Sequence, residues 1–135
     1  MPTAAPVRIL VVEDEPDIRE FLLAALSHYA VVEGASDGQE ALELIAREPL
    51  PSVVLLDLRM PRLSGDGVLR ALEGIPGRPP IVTMSASTRQ VPRGAAAHLQ
   101  KPFTIGEVLS ALERVLPEAG CATFGAEAES PPPSA

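Results

Sequence analysis

Short apolar runs and helical patterns alternate along the chain. Five runs are rich in Val, Ile and Leu, as buried parallel strands are. They span Val7 to Val12, Ala30 to Ala35, Ser52 to Leu58, Pro80 to Met84 and Ala97 to Gln100. We therefore predict five strands, each separated from the next by a segment that can cross back over the sheet.

Apolar residues between these runs recur at the i, i+3, i+4 spacing of amphipathic helices. The stripes are Ile18, Phe21, Leu22 and Ala25; Ala41, Leu42, Leu44 and Ile45; Val68, Leu69 and Leu72; and Val108, Leu109, Leu112, Val115 and Leu116. Thr104 and Glu107 have the spacing of a capping box at the start of the last helix. Because right-handed crossovers place helices on both faces of a parallel sheet, the pattern predicts an α/β, doubly wound fold.

The helix between strands four and five is the weak element of this pattern. Only Thr88 to Ala96 are available for it, and the segment contains Pro92 and Gly94. Both residues disfavour a helix interior. We expect this fourth helix to be shortened or lost.

Length and composition predict one folded domain. The chain has 135 residues and is 46% hydrophobic, enough apolar material for one core. We expect a flexible N-terminus over residues 1–6, the domain over 7–116 and a disordered tail over 117–135, where Gly, Ala, Glu, Ser and Pro dominate. The start of the chain has neither a secretory signal nor an apolar run that could span a membrane, so we expect a cytoplasmic protein.

Charge favours a protein partner. The net charge of −7 disfavours direct binding to nucleic acid or to an anionic membrane. Cys121 is the only cysteine, and we interpret it as an incidental free thiol. Ten of the eleven basic residues are arginine, so the single lysine, Lys101, requires a specific explanation.

Polar residues stand where three of the predicted strands end. Glu13-Asp14-Glu15 follows strand one, Asp57 ends strand three and Ser85 follows strand four. Ligands of doubly wound sheets bind beyond the carboxyl ends of the strands, where the strand order reverses. With the order 2-1-3-4-5, Glu13, Asp14 and Asp57 converge. Such a cluster either keeps a proton or binds a hard cation, for which Mg²⁺, or Mn²⁺ in its place, is better suited than zinc.

Each of these residues also has an ordinary interpretation. An acidic run is most often a solvated loop at a helix start, and Asp57, Ser85 or Lys101 alone could be a turn residue, a local hydrogen-bonding group or surface charge. Their joint placement at successive strand ends is what points to a site.

In combination, these residues resemble the receiver domain of two-component response regulators, the CheY-like members of the flavodoxin-like fold. The matching features are Glu13-Asp14, Leu55-Leu56-Asp57-Leu58-Arg59-Met60-Pro61 with Gly65, Ser85-Ala86, and Lys101-Pro102-Phe103. The resemblance covers residues 7–116. It implies a phosphoacceptor that receives a phosphoryl group from a histidine kinase and that, beyond self-dephosphorylation, is not an enzyme.

The resemblance also implies a role for individual residues. Asp57 would be the phosphoacceptor. The side chains of Asp14 and Asp57 and the backbone carbonyl of Arg59 would bind Mg²⁺, with Glu13 acting mainly through water.

Further roles fall on the ends of strands four and five. Ser85 would donate a hydrogen bond to the phosphoryl group, and Lys101 would pair first with Asp57 and then with the phosphate. Pro102 would follow a cis peptide bond that aims the lysine inward. Ala86 is small where a larger side chain would obstruct the phosphate.

Three features depart from the family pattern. His98 takes the switch position that is usually Tyr or Phe, either as a packing ring or as a partner of Ser85. The segment between Ser85 and Lys101 is about six residues short of the usual span, more than one helical turn. We also expect no effector domain after the receiver, and therefore output through contact with a downstream protein or transfer of the phosphate to a phosphotransfer domain.

Three other classes of protein are alternatives. A degenerate receiver used only as a binding module is disfavoured by the complete set of site residues, but the short fourth helix keeps this alternative open. A magnesium-dependent phosphohydrolase resembling the haloacid dehalogenase family would carry Asp two residues after the nucleophile, where this chain has Arg59. A nucleotide-binding module would have a Gly-rich first loop instead of Glu13-Asp14-Glu15.

Overall fold

The computed structural model describes residues 7–47, 50–60, 65–86 and 90–116. Its elements are β1 (Arg8–Val12), α1 (Pro16–Leu26), β2 (Val31–Ala35), α2 (Gly38–Ala46), β3 (Val53–Asp57), α3 (Gly65–Leu72), β4 (Ile81–Ser85), β5 (Ala97–Gln100) and α4 (Ile105–Val115). The strands form one parallel sheet in the order β2-β1-β3-β4-β5. The predicted fold class and strand order are confirmed.

Two apolar layers sandwich the sheet, because neighbouring strand residues point to opposite faces. One layer joins the strands to α1 and α4, with Leu22, Leu55 and Leu112 fully buried. The other joins them to α2 and α3, with Leu56 and Leu72 at its centre. All residues of β3 and β4 are buried, which explains their nearly continuous apolar runs.

The helix starts follow from local hydrogen bonds. At α4, the backbone N–H of Glu107 donates to Oγ1 of Thr104 (3.1 Å), and the N–H of Thr104 donates to Oε1 of Glu107 (2.9 Å). The predicted capping box is therefore present. At α2, Oδ1 of Asp37 accepts a hydrogen bond from the N–H of Glu40 (2.8 Å).

Several sequence expectations need correction. Phe21 belongs to the predicted apolar stripe of α1, yet it is 49% exposed, because Leu22 and Leu26 fill the contact with the sheet. The ends of four strands differ from the predicted ends by one residue. The domains predicted for 1–6 and 117–135 lie outside the described residues.

The connection between β4 and β5 contains no helix in the part that the structure describes. Its residues 90–96 contain a turn at Arg93 and Gly94, where Gly94 has φ +92°. Thr88 and Arg89, which were also part of the predicted fourth helix, lie outside the described residues. Pro92 and the positive φ of Gly94 are both incompatible with a regular helix here.

Gly65 holds α3 against the end of β3. Its N–H donates to the carbonyl of Leu58 (3.2 Å). A Cβ at this position would lie 2.6 Å from both the carbonyl oxygen of Asp57 and the Cα of Leu58. Only glycine allows this backbone approach.

We predict that Gly65→Ala lowers the free energy of unfolding by more than 1 kcal/mol, because backbone atoms must move apart. Gly106→Ala is the matched control. Gly106 lies in the exposed first turn of α4, where an added Cβ would come no closer than 3.8 Å to Oγ1 of Thr104. Alanine there should stabilise by roughly 0.5–1 kcal/mol. Urea unfolding of both variants measures the difference, and equal effects would contradict the close approach.

Candidate functional site

The strand register brings the acidic residues together. Val12 pairs with Leu56 across β1 and β3, so the residues that follow, Glu13 and Asp57, stand side by side at the carboxyl edge of the sheet. Carboxylate oxygens of Glu13, Asp14 and Asp57 lie within 4.8 Å of one another. The predicted convergence of the three carboxylates is confirmed.

The register of β4 and β5 completes the other side of the site. The backbone N–H of Lys101 donates to the carbonyl of Ser85 (2.9 Å), one step beyond the last β4–β5 pair. The peptide bond between Lys101 and Pro102 is cis. Lys101 Nζ then lies 3.1 Å from Glu13 Oε1 and 3.5 Å from Asp57 Oδ2. One ammonium group therefore faces two buried carboxylates.

Hydrogen bonds from the backbone fix the carboxylate orientations. The N–H of Arg59 donates to Oδ1 of Asp57 (3.1 Å), and the N–H of Glu15 donates to Oε2 of Glu13 (3.1 Å). Glu13 is 0% and Asp57 3% exposed. Oε1 of Glu13 receives no aligned hydrogen bond from the described residues, although Lys101 is within ion-pair distance. A bound cation would stabilise a buried carboxylate oxygen that has no aligned hydrogen-bond donor.

Burial and mutual repulsion favour protonation of the two buried carboxyl groups. Burial, followed by the negative charge of Asp57, raises the pKa of Glu13 to about 7. Burial also raises the pKa of Asp57, against the lowering effects of the Arg59 N–H and the Lys101 charge. Without a cation, the cluster is thus short of positive charge at neutral pH.

A cleft of about 450 Å³ opens beside Ser85, between the end of β3 and the shortened connection to β5. Its lining consists of Leu58, Arg59, Asp66, Ser85, Gln90, Val91, Pro92 and Arg93. Ala86 is exposed at the end of β4, and its carbonyl accepts a hydrogen bond from Nε2 of Gln100 (3.1 Å). Of the predicted site residues, Arg59 and Ser85 line this cleft, and the three carboxylates and Lys101 do not.

His98 lies on β5, opposite a residue two positions before the end of β4. It pairs with Thr83, and its Nδ1 is 2.7 Å from Oγ1 of Thr83. Thr83 is fully buried, and its hydroxyl also lies 3.3 Å from the carbonyl of Ala97. From the sequence, His98 was expected either to fill space or to contact Ser85, and Thr83 and Gln100 had no predicted role. Only the β4–β5 register, which the sequence does not state, could have identified these contacts.

A doubly wound sheet with three carboxylates, a lysine and a serine at its carboxyl edge defines the class of signalling phosphoacceptors. Residues 9–113 match the family described as the response regulator receiver domain. The chain belongs to this family.

Individual relatives agree with the family. The chain is 42% identical over 118 residues to the response regulator MprA of Mycolicibacterium vanbaalenii, covering 82% of this chain and 51% of MprA. It therefore spans about half the length of the curated relatives it matches. Its structure resembles chemotaxis protein CheY4 of Vibrio cholerae, with a TM-score of 0.74, 29% identity, and coverage of 83% of this chain and all of CheY4.

A magnesium-bound relative is also similar. The receiver domain of the sensor histidine kinase PA1611 from Pseudomonas aeruginosa has a TM-score of 0.76 and 28% identity, with coverage of 84% of this chain and all of that chain. That structure holds a magnesium ion in its active-site cleft. In this chain, Glu13, Asp14 and Asp57 form an acidic cluster that could hold a metal ion.

Within the described residues, no helix has the length and apolar character needed to cross a membrane.

We predict that Glu13 makes stability depend on pH when divalent cations are removed. Its folded pKa, about 7, is above the ordinary value of 4.5, so the folded state binds the extra proton. The free energy of unfolding should then fall as pH rises from about 4.5 to 7, by at most about 3 kcal/mol from this group. Added Mg²⁺ should offset the loss most strongly at the high-pH end, because it binds the deprotonated cluster.

Thermal unfolding of the wild type and Glu13→Gln in a chelator, from pH 5 to 8, measures this effect. Glu13→Gln should flatten the profile, whereas Glu20→Gln, which removes an exposed acid on α1, should follow the wild type. Parallel profiles for all three proteins would contradict the raised pKa of Glu13.

Proposed function

We propose that Asp57 accepts the phosphoryl group in this receiver domain, from a histidine kinase or from a small phosphodonor. The observation that carries the proposal is the meeting of Glu13, Asp14 and Asp57 within 4.8 Å, with Lys101 Nζ 3.5 Å from Asp57. Glu13 meets the same two conditions and lies closer to Lys101, at 3.1 Å. The choice of Asp57 as phosphoacceptor therefore rests on its place in the Leu55-Leu56-Asp57 motif that resembles the receiver family.

The donor set fits Mg²⁺, with Mn²⁺ as a substitute. Asp14 and Asp57 would hold the ion through side chains and Arg59 through its backbone carbonyl, with Glu13 acting through water. When bound, the ion supplies positive charge that neutralises the carboxylates and stabilises negative charge on the phosphoryl oxygens. The other parts of the phosphoryl transfer would be carried out by side chains of this protein.

In the transfer step, one carboxylate oxygen of Asp57 attacks phosphorus and the bond from phosphorus to the donor breaks. With acetyl phosphate, the products are the aspartyl phosphate and acetate, so charge and atoms balance. Lys101 can move its ammonium from Glu13 and Asp57 to a phosphoryl oxygen, because its stem is flexible and its charge compact. Ser85, at the mouth of the cleft, would donate its hydroxyl hydrogen to another oxygen.

The wider assignment follows from the same proposal. A histidine kinase is the partner upstream, and a downstream protein or a phosphotransfer domain is the partner that reads or receives the phosphate, with no direct contact to nucleic acid or membrane. The protein would act in the cytoplasm. It would catalyse no reaction beyond loss of its own phosphate. Residues 7–116 would form the receiver domain.

We expect acetyl phosphate to add one phosphoryl group to the wild-type chain only when Mg²⁺ or Mn²⁺ is present, because the dianionic donor is repelled by bare carboxylates. Intact mass spectrometry detects the adduct. Asp57→Asn should abolish it, and Asp66→Asn, which changes an exposed residue of the same cleft, should retain it. An adduct on Asp57→Asn, or one that forms equally in a chelator, would refute the assignment.

We further propose that Ser85 and His98 form the switch that reports phosphorylation. A hydrogen bond from Ser85 to the phosphoryl group pulls on the end of β4, and the Thr83–His98 contact carries the shift to β5. The backbone ladder and the hydrogen bonds of Lys101 to Ser85 and of Gln100 to Ala86 also join the two strands, and the Thr83–His98 contact adds a link between side chains.

The ring signals of the two histidines test this switch by NMR. We expect beryllofluoride with Mg²⁺, a stable mimic of the phosphoryl group, to shift the ring signals of His98 and to leave those of His28 unchanged, since His28 is exposed beyond the end of α1. His98→Ala should still be phosphorylated on Asp57. Unchanged His98 signals in the fully occupied protein would mean that this ring only fills space.

A further inference from the structure

Arg19 reaches back from α1 to the backbone of the acidic loop. Its Nη1 donates to the carbonyl oxygen of Glu13 (2.8 Å) and lies 3.5 Å from the carbonyl oxygen of Asp14. These two carbonyl groups belong to the acidic pair whose side chains point towards Asp57. The guanidinium group therefore binds the backbone carbonyl groups of the loop, and the carboxylates of the same residues point towards Asp57.

The stem of Arg19 depends on an open space over β2. Gly34 lies there, paired with Val11 of β1. A Cβ on Gly34 would come within 3.0 Å of Cδ1 of Leu23 and 3.4 Å of Cδ of Arg19. The missing side chain lets the arginine stem and Leu23 pack closely against the strand, so the guanidinium group is directed towards the loop.

We propose that Arg19 is a positioning residue of the metal site, which sets the peptide groups of Glu13 and Asp14 so that their carboxylates converge on Asp57. The inference rests on the proposed function, because it concerns the same cation. A rotation of either peptide group would swing the attached carboxylate away from the other two. Both contacts are made by Nη1, which lies one bond farther along the side chain than the ammonium nitrogen of a lysine would, so lysine cannot fully replace it.

Arg19 has two effects on cation binding, and they have opposite signs. Its positive charge repels Mg²⁺, while its hydrogen bonds hold two of the ligands in place. Arg19 is half-buried, so water screens its charge and weakens the repulsion of Mg²⁺. Its hydrogen bonds matter more, because no other contact given for the described residues bonds to the carbonyl oxygens of Glu13 or Asp14. We therefore expect the positioning effect to dominate.

The direct test is the dissociation constant of Mg²⁺ for the full chain, measured by calorimetry at pH 8 without phosphodonor. We expect Arg19→Met to weaken binding about tenfold, the lower range for partners that orient metal ligands. Arg19→Lys should recover part of the loss. The matched control is Arg47→Met, which removes the same charge and a 3.0 Å ion pair with Glu33 on β2, and should bind Mg²⁺ as the wild type does. At saturating Mg²⁺, Arg47→Met should also reach the wild-type maximal rate of phosphorylation by acetyl phosphate.

Equal or tighter binding of Mg²⁺ by Arg19→Met would overturn the inference, and tighter binding would show that repulsion by the guanidinium dominates. A wild-type chain that binds no Mg²⁺ would overturn the metal site itself, together with this inference. If Arg19→Met fails to fold in thermal unfolding, Arg19→Lys decides the question. Wild-type affinity in Arg19→Lys would then show that the reach of Nη1 to the two carbonyl oxygens is unnecessary and contradict the proposed role.

Discussion

The central constraint of this structure is that buried carboxylates and a single ammonium group meet at the edge of a parallel sheet. Glu13 and Asp57 are almost completely buried, and Lys101 is the only described cation within 4 Å of them. Burial of two negative groups with one positive group is unfavourable unless a proton or a cation joins them. The raised pKa of Glu13 favours uptake of a proton, and the proposed Mg²⁺ site would supply the cation.

The fold supplies this arrangement through register and a few close backbone contacts. Parallel pairing of β1 with β3 and of β4 with β5 sets Glu13 beside Asp57 and Lys101 beside Ser85. Gly65 allows α3 to begin directly against the end of β3. The site therefore depends on the strand ends, and the described part of the connection between β4 and β5 contains no helix.

Much of this could be predicted from the sequence, because the strands are short apolar runs and the chemistry stands at their ends. Asp57 and Lys101 were assigned correctly to one edge of the sheet for that reason. The exposure of Phe21 could not be predicted, since an apolar stripe does not show which of its members meets the sheet. The contact of His98 with Thr83 could not be predicted either, because it depends on strand register. The contact of Arg19 could not be predicted because Arg19 bonds to backbone carbonyl groups, which every residue has.

Paramagnetic broadening by Mn²⁺ tests the central claim most directly, because it locates a cation without requiring phosphorylation. We expect trace Mn²⁺, added to the unphosphorylated protein, to broaden backbone NMR signals first around Glu13, Asp14, Asp57 and Arg59. Excess Mg²⁺ should reverse the effect. Broadening centred on another acidic region, such as the exposed face of α2, or broadening that Mg²⁺ does not reverse, would contradict a cation site built by the converging strand ends.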